Sequence, residues 1–237
     1  MLNTNELLEF VTIFPAVAHR SLAVYPMVAN LPSGTANYLV LDEAIETGHF
    51  RITEVSEPGT VPHLLAMNET TSPVLLLDGE ELVGAKQNRI LNLTILVPPH
   101  SKTVIPVSCV EAGRWNRQSA AFRTVDRVQF ARARAQKVAQ VSRSLSFEND
   151  ARSDQLAVWD AIAAKSERMR AFSPTGAMAA IYENHKADPT NLLPCLTWLV
   201  RITRHSRQWW AGLCRLMTAW PNAKESPAYL WLMAYGS

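Results

Sequence analysis

Between about residues 20 and 110 the apolar positions fall in short runs of Val, Ile, Leu and Thr, broken by Pro, Gly and Asn, which is the pattern of strands joined by turns. One interruption, "NYLVLDEAIETGHF", predicts a helical turn or two near Asp42 to Thr47, stopped by Gly48. The sharpest local expectation is a hairpin in which "RILNLTILV" and "TVIPVSCVE" flank the breaker "PPHSK". Symmetric pairing about that loop sets Val97 against Thr103, Ile95 against Ile105, Leu93 against Val107, Leu91 against Cys109 and Arg89 against Glu111. One face is then apolar up to a terminal ion pair, while Asn92, Thr94 and Ser108 make the other half-solvated or the wall of a cavity. Pro106 offers no ladder donor, so its strand is expected at a sheet edge or bulged there.

After "GRWNRQSAAF" the period lengthens. Phe130, Ala133, Val138, Val141 and Leu145 recur at helical spacing with most Arg and Lys opposite, predicting a helix over about residues 123–145. Ser153 is expected to cap a second helix, with Asp154 in its first turn and Leu156, Trp159, Ile162, Ala163 and Met169 as its apolar stripe. Ser173 and Pro174 open a third, running to about Lys186. The class is therefore α+β, with an antiparallel β-rich N-terminal half packed against about three C-terminal helices, and residues 1–190 read as a single domain.

Residues 191–237 form an atypical Trp/Arg-rich tail with five of the seven tryptophans and one acid, Glu225. Leu199, Ile202, Trp209, Leu213, Leu216 and Trp220 share one helical face opposite Arg201, Arg204, Arg207 and Arg215, as in a packed terminal helix or one lying on a membrane surface.

A chain of 237 residues suits one large or two small domains and needs no disulfide to stabilise its core. Its three cysteines, Cys109, Cys195 and Cys214, form no C-x-x-C pair, and the histidines show no ligand spacing, so a reducing cytoplasm and no metal site are expected. "MLNTNELLEF" has no basic region or long apolar run, and nowhere do about 18 uncharged apolar residues follow one another, so neither a signal peptide nor a membrane span is expected. Charge is unevenly spread: residues 1–85 hold eleven acids against Arg20 and Arg51, whereas residues 114–143 hold eight Arg or Lys against Asp126. That basic belt has no interleaved aromatics beyond Phe122 and Phe130, so it is read as a face turned to the acidic half, and no nucleic-acid partner is expected.

Glycine-rich phosphate loops, a nucleophile elbow and zinc helices are all absent. Candidate chemistry concentrates instead in "VLLLDGEELVGAKQNRILN". Asp78 and Gly79 signal a turn after a buried strand, placing Glu80 and Glu81 where they are accessible for acid/base work, or simply as solvated glutamates of a hairpin. Lys86, Gln87, Asn88 and Arg89 mix cations with amides, suited to phosphate, carboxylate or ribose hydroxyls, or to a plain polar strand entrance. Cys109 could be activated by Arg89 but fits a small core residue better; Arg114 and Trp115 could clamp a planar ligand, or Trp115 could close the core.

The blocks "LLLDGEELVGAKQNRILN", "IPVSCVEAGRW" and "SDQLAVWDAI" with "SPTGAM" resemble a prokaryotic domain family named for its association with ADP-ribosylglycohydrolases and rhodanese-phosphatases, over about residues 20–187. That resemblance implies a role in NAD or ADP-ribose metabolism and carries over no particular mechanism. It turns Asp78, Glu80, Glu81, Gln87, Asn88, Arg89, Cys109, Glu111, Arg114 and Trp115, which match its motifs, into one expected polar pocket. The tail departs from the family pattern and is read as foreign to the ancestral fold. The expected function is binding or processing of an ADP-ribose-like or other phosphorylated nucleotide-derived ligand. Lys86, Arg89 and Arg114 would hold anionic groups, Trp115 would stack, Gln87 and Asn88 would read hydroxyls, and Glu80, Glu81 or Glu111 would supply acid/base function. The alternative is a non-catalytic interaction module whose basic helix docks an acidic protein, and membrane contact through the tail is the weakest expectation. No cofactor is specified by these residues.

Overall fold

The computed structural model describes residues 37–57 and 59–185, together with residues 11–13, 15, 17–19, 22–25 and 27–29. Residues 37–201 cluster as one unit, and the N-terminal residues belong to a second. In the latter, β1 (Val11–Ile13) pairs with β4 (Met27–Ala29) and β2 (Val17–His19) with β3 (Leu22–Val24), both antiparallel. The expectations for the tail from residue 191 onward lie outside the described residues.

The larger unit carries β5 (Leu39–Val40), α1 (Leu41–Glu46), β6 (Phe50–Glu54), β7 (His63–Asn68), β8 (Val74–Leu76), β9 (Glu80–Gly84), β10 (Arg89–Leu91), β11 (Ile95–Val97), β12 (Ser101–Cys109) and β13 (Phe122–Val128). Then come α2 (Ala131–Glu148), α3 (Gln155–Arg168) and α4 (Ala179–Glu183), so the class is α+β as the pattern predicts. Helix α1 starts with Glu43 reaching back to accept from the Val40 N–H at 3.1 Å and ends before Gly48, whose φ of 75° suits only a residue without Cβ.

Six strands form an antiparallel sheet in the order β13-β9-β10-β12-β7-β6, and β11-β8-β5 form a second sheet. The first curls so far that its edge strands β6 and β13 touch. Inside the curl lies a core of Leu41, Phe50, Ile52, Leu64, Leu82, Leu91, Ile105 and Val107. Outside it, Ile90 and Val110 pack with Phe130, Val158, Ile162, Met178 and Tyr182 against the helices. Strand β10 is thus buried on both faces, with Arg89 and Leu91 turned inward and Ile90 outward.

The hairpin register differs from symmetry by two residues: Arg89 faces Cys109, Ile90 faces Ser108 and Leu91 faces Val107. A slip of two keeps every side chain on its expected face, since the side-chain period is two. Beyond Leu91 the expected pairing ends, because β11 leaves to pair with β8, Ile95 opposite Leu76. Pro106 is not at an edge; it sits where β12 passes from β7, pairing with His63, to β10, and its carbonyl accepts from Asn92 N–H at 3.0 Å. The face of Asn92, Thr94 and Ser108 is solvated only in part: Thr94 is exposed, whereas Asn92 and Ser108 are covered. Both covered residues are 1 % exposed; the Ser108 hydroxyl donates to Asn92 Oδ1 at 2.6 Å and lies 2.6 Å from the Ser153 hydroxyl beneath the start of α3.

Three helical expectations are corrected. Residues 123–128 belong to β13: Phe122, Val125 and Val128 are spaced by three as in a helix, but the segment supplies β9 with its second partner and buries Phe122. In α2 the buried line is Ala133, Lys137 and Val141, with Val138 left exposed. Helix α3 is capped by Asp154, whose carboxylate accepts from Leu156 and Ala157 N–H, while the Ser153 hydroxyl is turned to Ser108; Val158 and Ile162 are buried and Leu156 is exposed. The third helix is short, since Ser173 closes a turn onto the Ala177 N–H at 2.9 Å before Ala179–Glu183 begins.

Candidate functional site

Neither Glu80 nor Glu81 is accessible as the turn signal implied: they are 6 % and 1 % exposed. The Asp78-Gly79 turn joins no hairpin but carries the chain from the small sheet into the large one, so its flanks are covered by both. Gly79 takes a φ of 79° there and donates to the Leu91 carbonyl. Glu80 accepts from the Leu77 N–H at 3.0 Å. Asp78 accepts from Lys137 and, at 2.7 Å, from Arg134 of α2, so the acidic turn is tied to the end of β10 away from Arg89.

A second network lies on the outer face. Glu81 accepts from Arg127 at 2.6 Å and from Asn88 at 3.3 Å, and Arg127 also reaches Glu183. Arg114 bonds Glu111 at 2.8 Å and Asn88 at 3.1 Å, while Glu111 further accepts from Thr175 at 2.8 Å and from the Asn88 N–H. Gly113 lets the loop close on this cluster, because a Cβ there would lie 3.0 Å from the Thr175 Cα. Burial raises the Glu81 carboxyl above its ordinary value despite Arg127. At Glu111 burial is outweighed by the hydrogen bonds from Arg114 and Thr175, and the carboxyl sits below 4.5.

The shift at Glu111 has a measurable sign. A depressed carboxyl contributes stability that is complete above the unfolded value of 4.5 and is lost as pH falls through the folded one. Glu111→Gln is expected to be less stable than the parent near neutral pH, with the gap closing below pH 4.5 in urea unfolding series. A gap that stays constant with pH would mean that Glu111 acts through packing and not through its charge.

The inner face holds the third group. Arg89 is 0 % exposed, and its Nη1 donates to Gln87 Oε1 at 2.9 Å. Its Nε and Nη2 have no hydrogen-bond partner. These two nitrogens form one edge of the guanidinium, the fork that grips a carboxylate or phosphate with parallel hydrogen bonds. The Trp115 ring, 47 % exposed, lies with its centroid 5.5 Å from both Arg89 Cζ and Lys86 Nζ. Gln87 fixes the floor by donating to the Glu111 carbonyl at 2.9 Å. Cys109, opposite Arg89, is raised by burial to about 11, so its thiol stays neutral and offers no nucleophile at ordinary pH.

The expected pocket therefore divides. The Lys-Gln-Asn-Arg run and the Gly-Arg-Trp loop do meet at one end of the sheet, whereas Asp78 and Glu80 belong to its other end and Glu81 to the outer network. Sequence reasoning missed Arg127, Lys137 and Thr175 as the partners of these carboxylates, and Glu54 beside Lys86, whose N–H it accepts at 3.4 Å. In "FRITE" the alternation of Phe50, Ile52 and Glu54 was the available signal that Glu54 points inward.

Among the described residues no cluster of three His, Cys, Asp or Glu is disposed to hold a metal ion, and no helix is long and apolar enough to cross a membrane.

A curled antiparallel sheet with an apolar interior, backed by helices and flanked by two buried ion-pair networks, with one buried guanidinium apart from both, defines an α+β domain. The chain belongs to the ARPP-1 family, the ARG and Rhodanese-Phosphatase-superfamily-associated Protein domain, whose family model matches residues 10–200. No curated protein and no solved structure matches the chain.

Proposed function

We propose that the domain binds a phosphorylated, nucleotide-derived anion at the mouth of the curled sheet, its oxyanion on the Arg89 fork and its planar part on Trp115. The observation that carries this reading is the buried Arg89 guanidinium with Nε and Nη2 unpartnered beside an exposed Trp115. A buried donor without an acceptor is costly, so a fold that keeps two on one edge of a cation is arranged for an acceptor that arrives from outside. Lys86 adds a second positive charge over the same ring. The family name is compatible with an ADP-ribose-like ligand through its ARG component, which supplies no further detail.

Acid/base work by Glu80, Glu81 or Glu111 would require each to give up a partner it already holds, so the proposal is confined to binding. A second reading, a module for an acidic protein partner, rests on a groove of about 620 Å3 between α2 and α3 with Arg132, Arg143 and Arg168 around an alanine floor.

Thermal unfolding of the full chain with NAD, ADP-ribose, ribose phosphates or divalent cations tests the binding proposal. A ligand at a hundred times its dissociation constant stabilises by about 2.7 kcal/mol. The expected result is a rise in Tm with a phosphorylated ligand that disappears in Arg89→Met. A transition that no ligand moves would leave the protein-partner reading in its place.

A further inference from the structure

We infer that Glu54 completes the site, accepting a hydroxyl donor from the ligand whose oxyanion sits on Arg89, so that the mouth of the curl selects a phosphorylated polyol over a bare anion. This rests on the anion-binding proposal and adds to it the class of ligand. Glu54 ends β6, where Phe50 and Ile52 already point into the inner core, so alternation turns its side chain to the same interior as Arg89. Its Oε1 accepts from the Lys86 N–H, but its Oε2 is buried with no partner.

The neighbouring loop is cut back at this point. A Cβ on Gly59 would lie 3.3 Å from Glu54 Oε2 and 3.2 Å from Lys86 Cδ, and its φ of 75° also favours glycine. Lys86, whose N–H donates to Glu54, lies over the same Trp115 ring as Arg89, and Cys109 is paired opposite Arg89, which sets these groups in one neighbourhood. The Glu54 carboxylate and the Arg89 fork would satisfy each other if they were in contact, and they are not. A ligand that satisfies both must accept from the guanidinium and donate to the carboxylate. A phosphate ester carrying free hydroxyls does both, and the neutral Cys109 thiol adds no second negative charge against it.

The test is calorimetric titration of the full chain with inorganic phosphate and with ribose 5-phosphate, in the parent, Glu54→Met and Arg89→Met. Ribose 5-phosphate is expected to bind the parent at least about tenfold more tightly than phosphate, the worth of one hydrogen bond to a charged group. In Glu54→Met that advantage should vanish while phosphate itself binds as well or better, because a nearby negative charge has gone. Should that variant fail to fold, Glu54→Leu carries the comparison, with the same loss of the ribose 5-phosphate advantage expected. Equal binding of the two ligands by the parent, or an advantage that survives the loss of Glu54, overturns the inference yet leaves anion binding standing if Arg89→Met abolishes it. A site that holds only water binds neither ligand in the parent, and then both proposals fall.

Discussion

Asp78→Ala is expected to destabilise the domain by about 3–5 kcal/mol, the cost of leaving a buried cation without its counter-ion. Lys137 has a fully buried side chain on α2 and is held by Asp78 and by the Leu91 carbonyl at 2.6 Å. Burial lowers the pKa of its ammonium, and the Asp78 carboxylate opposes that shift. Without Asp78 the helix keeps a desolvated charge in its interior line, and Arg134 loses its partner as well. The double substitution Asp78→Leu with Lys137→Met should recover most of the loss, since a buried ion pair exchanged for apolar groups of like volume is close to neutral. Urea unfolding of the three variants decides this. A single substitution costing less than about 1 kcal/mol would mean that the pair is solvated and adds little.

Arg89→Met is expected to behave in the opposite way, with stability unchanged or raised and anion binding weakened by about thirtyfold or more. Burial lowers the pKa of this guanidinium, and the Glu54 and Glu111 carboxylates only partly offset the effect. Methionine replaces the stem in volume, forgoes one bond to Gln87 and removes two unsatisfied donors. Arg89→Lys keeps the charge and loses the fork, so it should restore only part of the affinity. If Arg89→Met instead unfolds the protein by several kcal/mol, Arg89 is a structural member of the core, and the binding proposal loses the observation on which it stands.

Legibility in the sequence followed the range of the interaction. Gly48 ends α1 as its position implies, since a left-handed residue without Cβ is a local requirement. The basic belt does turn to the acidic half, through Arg127 to Glu81 and through Arg134 and Lys137 to Asp78. Yet the belt's first part is strand and not helix: its apolar residues are spaced by three, as in a helix, but its partner, β9, lies about forty residues earlier in the chain. Lys137 departs from the expectation that most Arg and Lys lie opposite the apolar line for the same reason: nothing near it in sequence announces an acid, and Asp78 is 59 positions away.

By itself the sequence determined the α+β class, the strand-and-turn character of the chain up to about residue 110, and the faces of β10 and β12, because period and face are properties of neighbouring residues. Only the tertiary structure decided that Arg89 faces Cys109, that β11 leaves its expected partner for β8, and that the acidic turn parts from the Arg89 fork. A two-residue slip leaves every side chain on its own face, so alternation cannot distinguish one register from the next. The partner is chosen by burial shared between residues far apart in the chain, and the orphaned atoms of Arg89 and Glu54 come into view only when those choices have been made together.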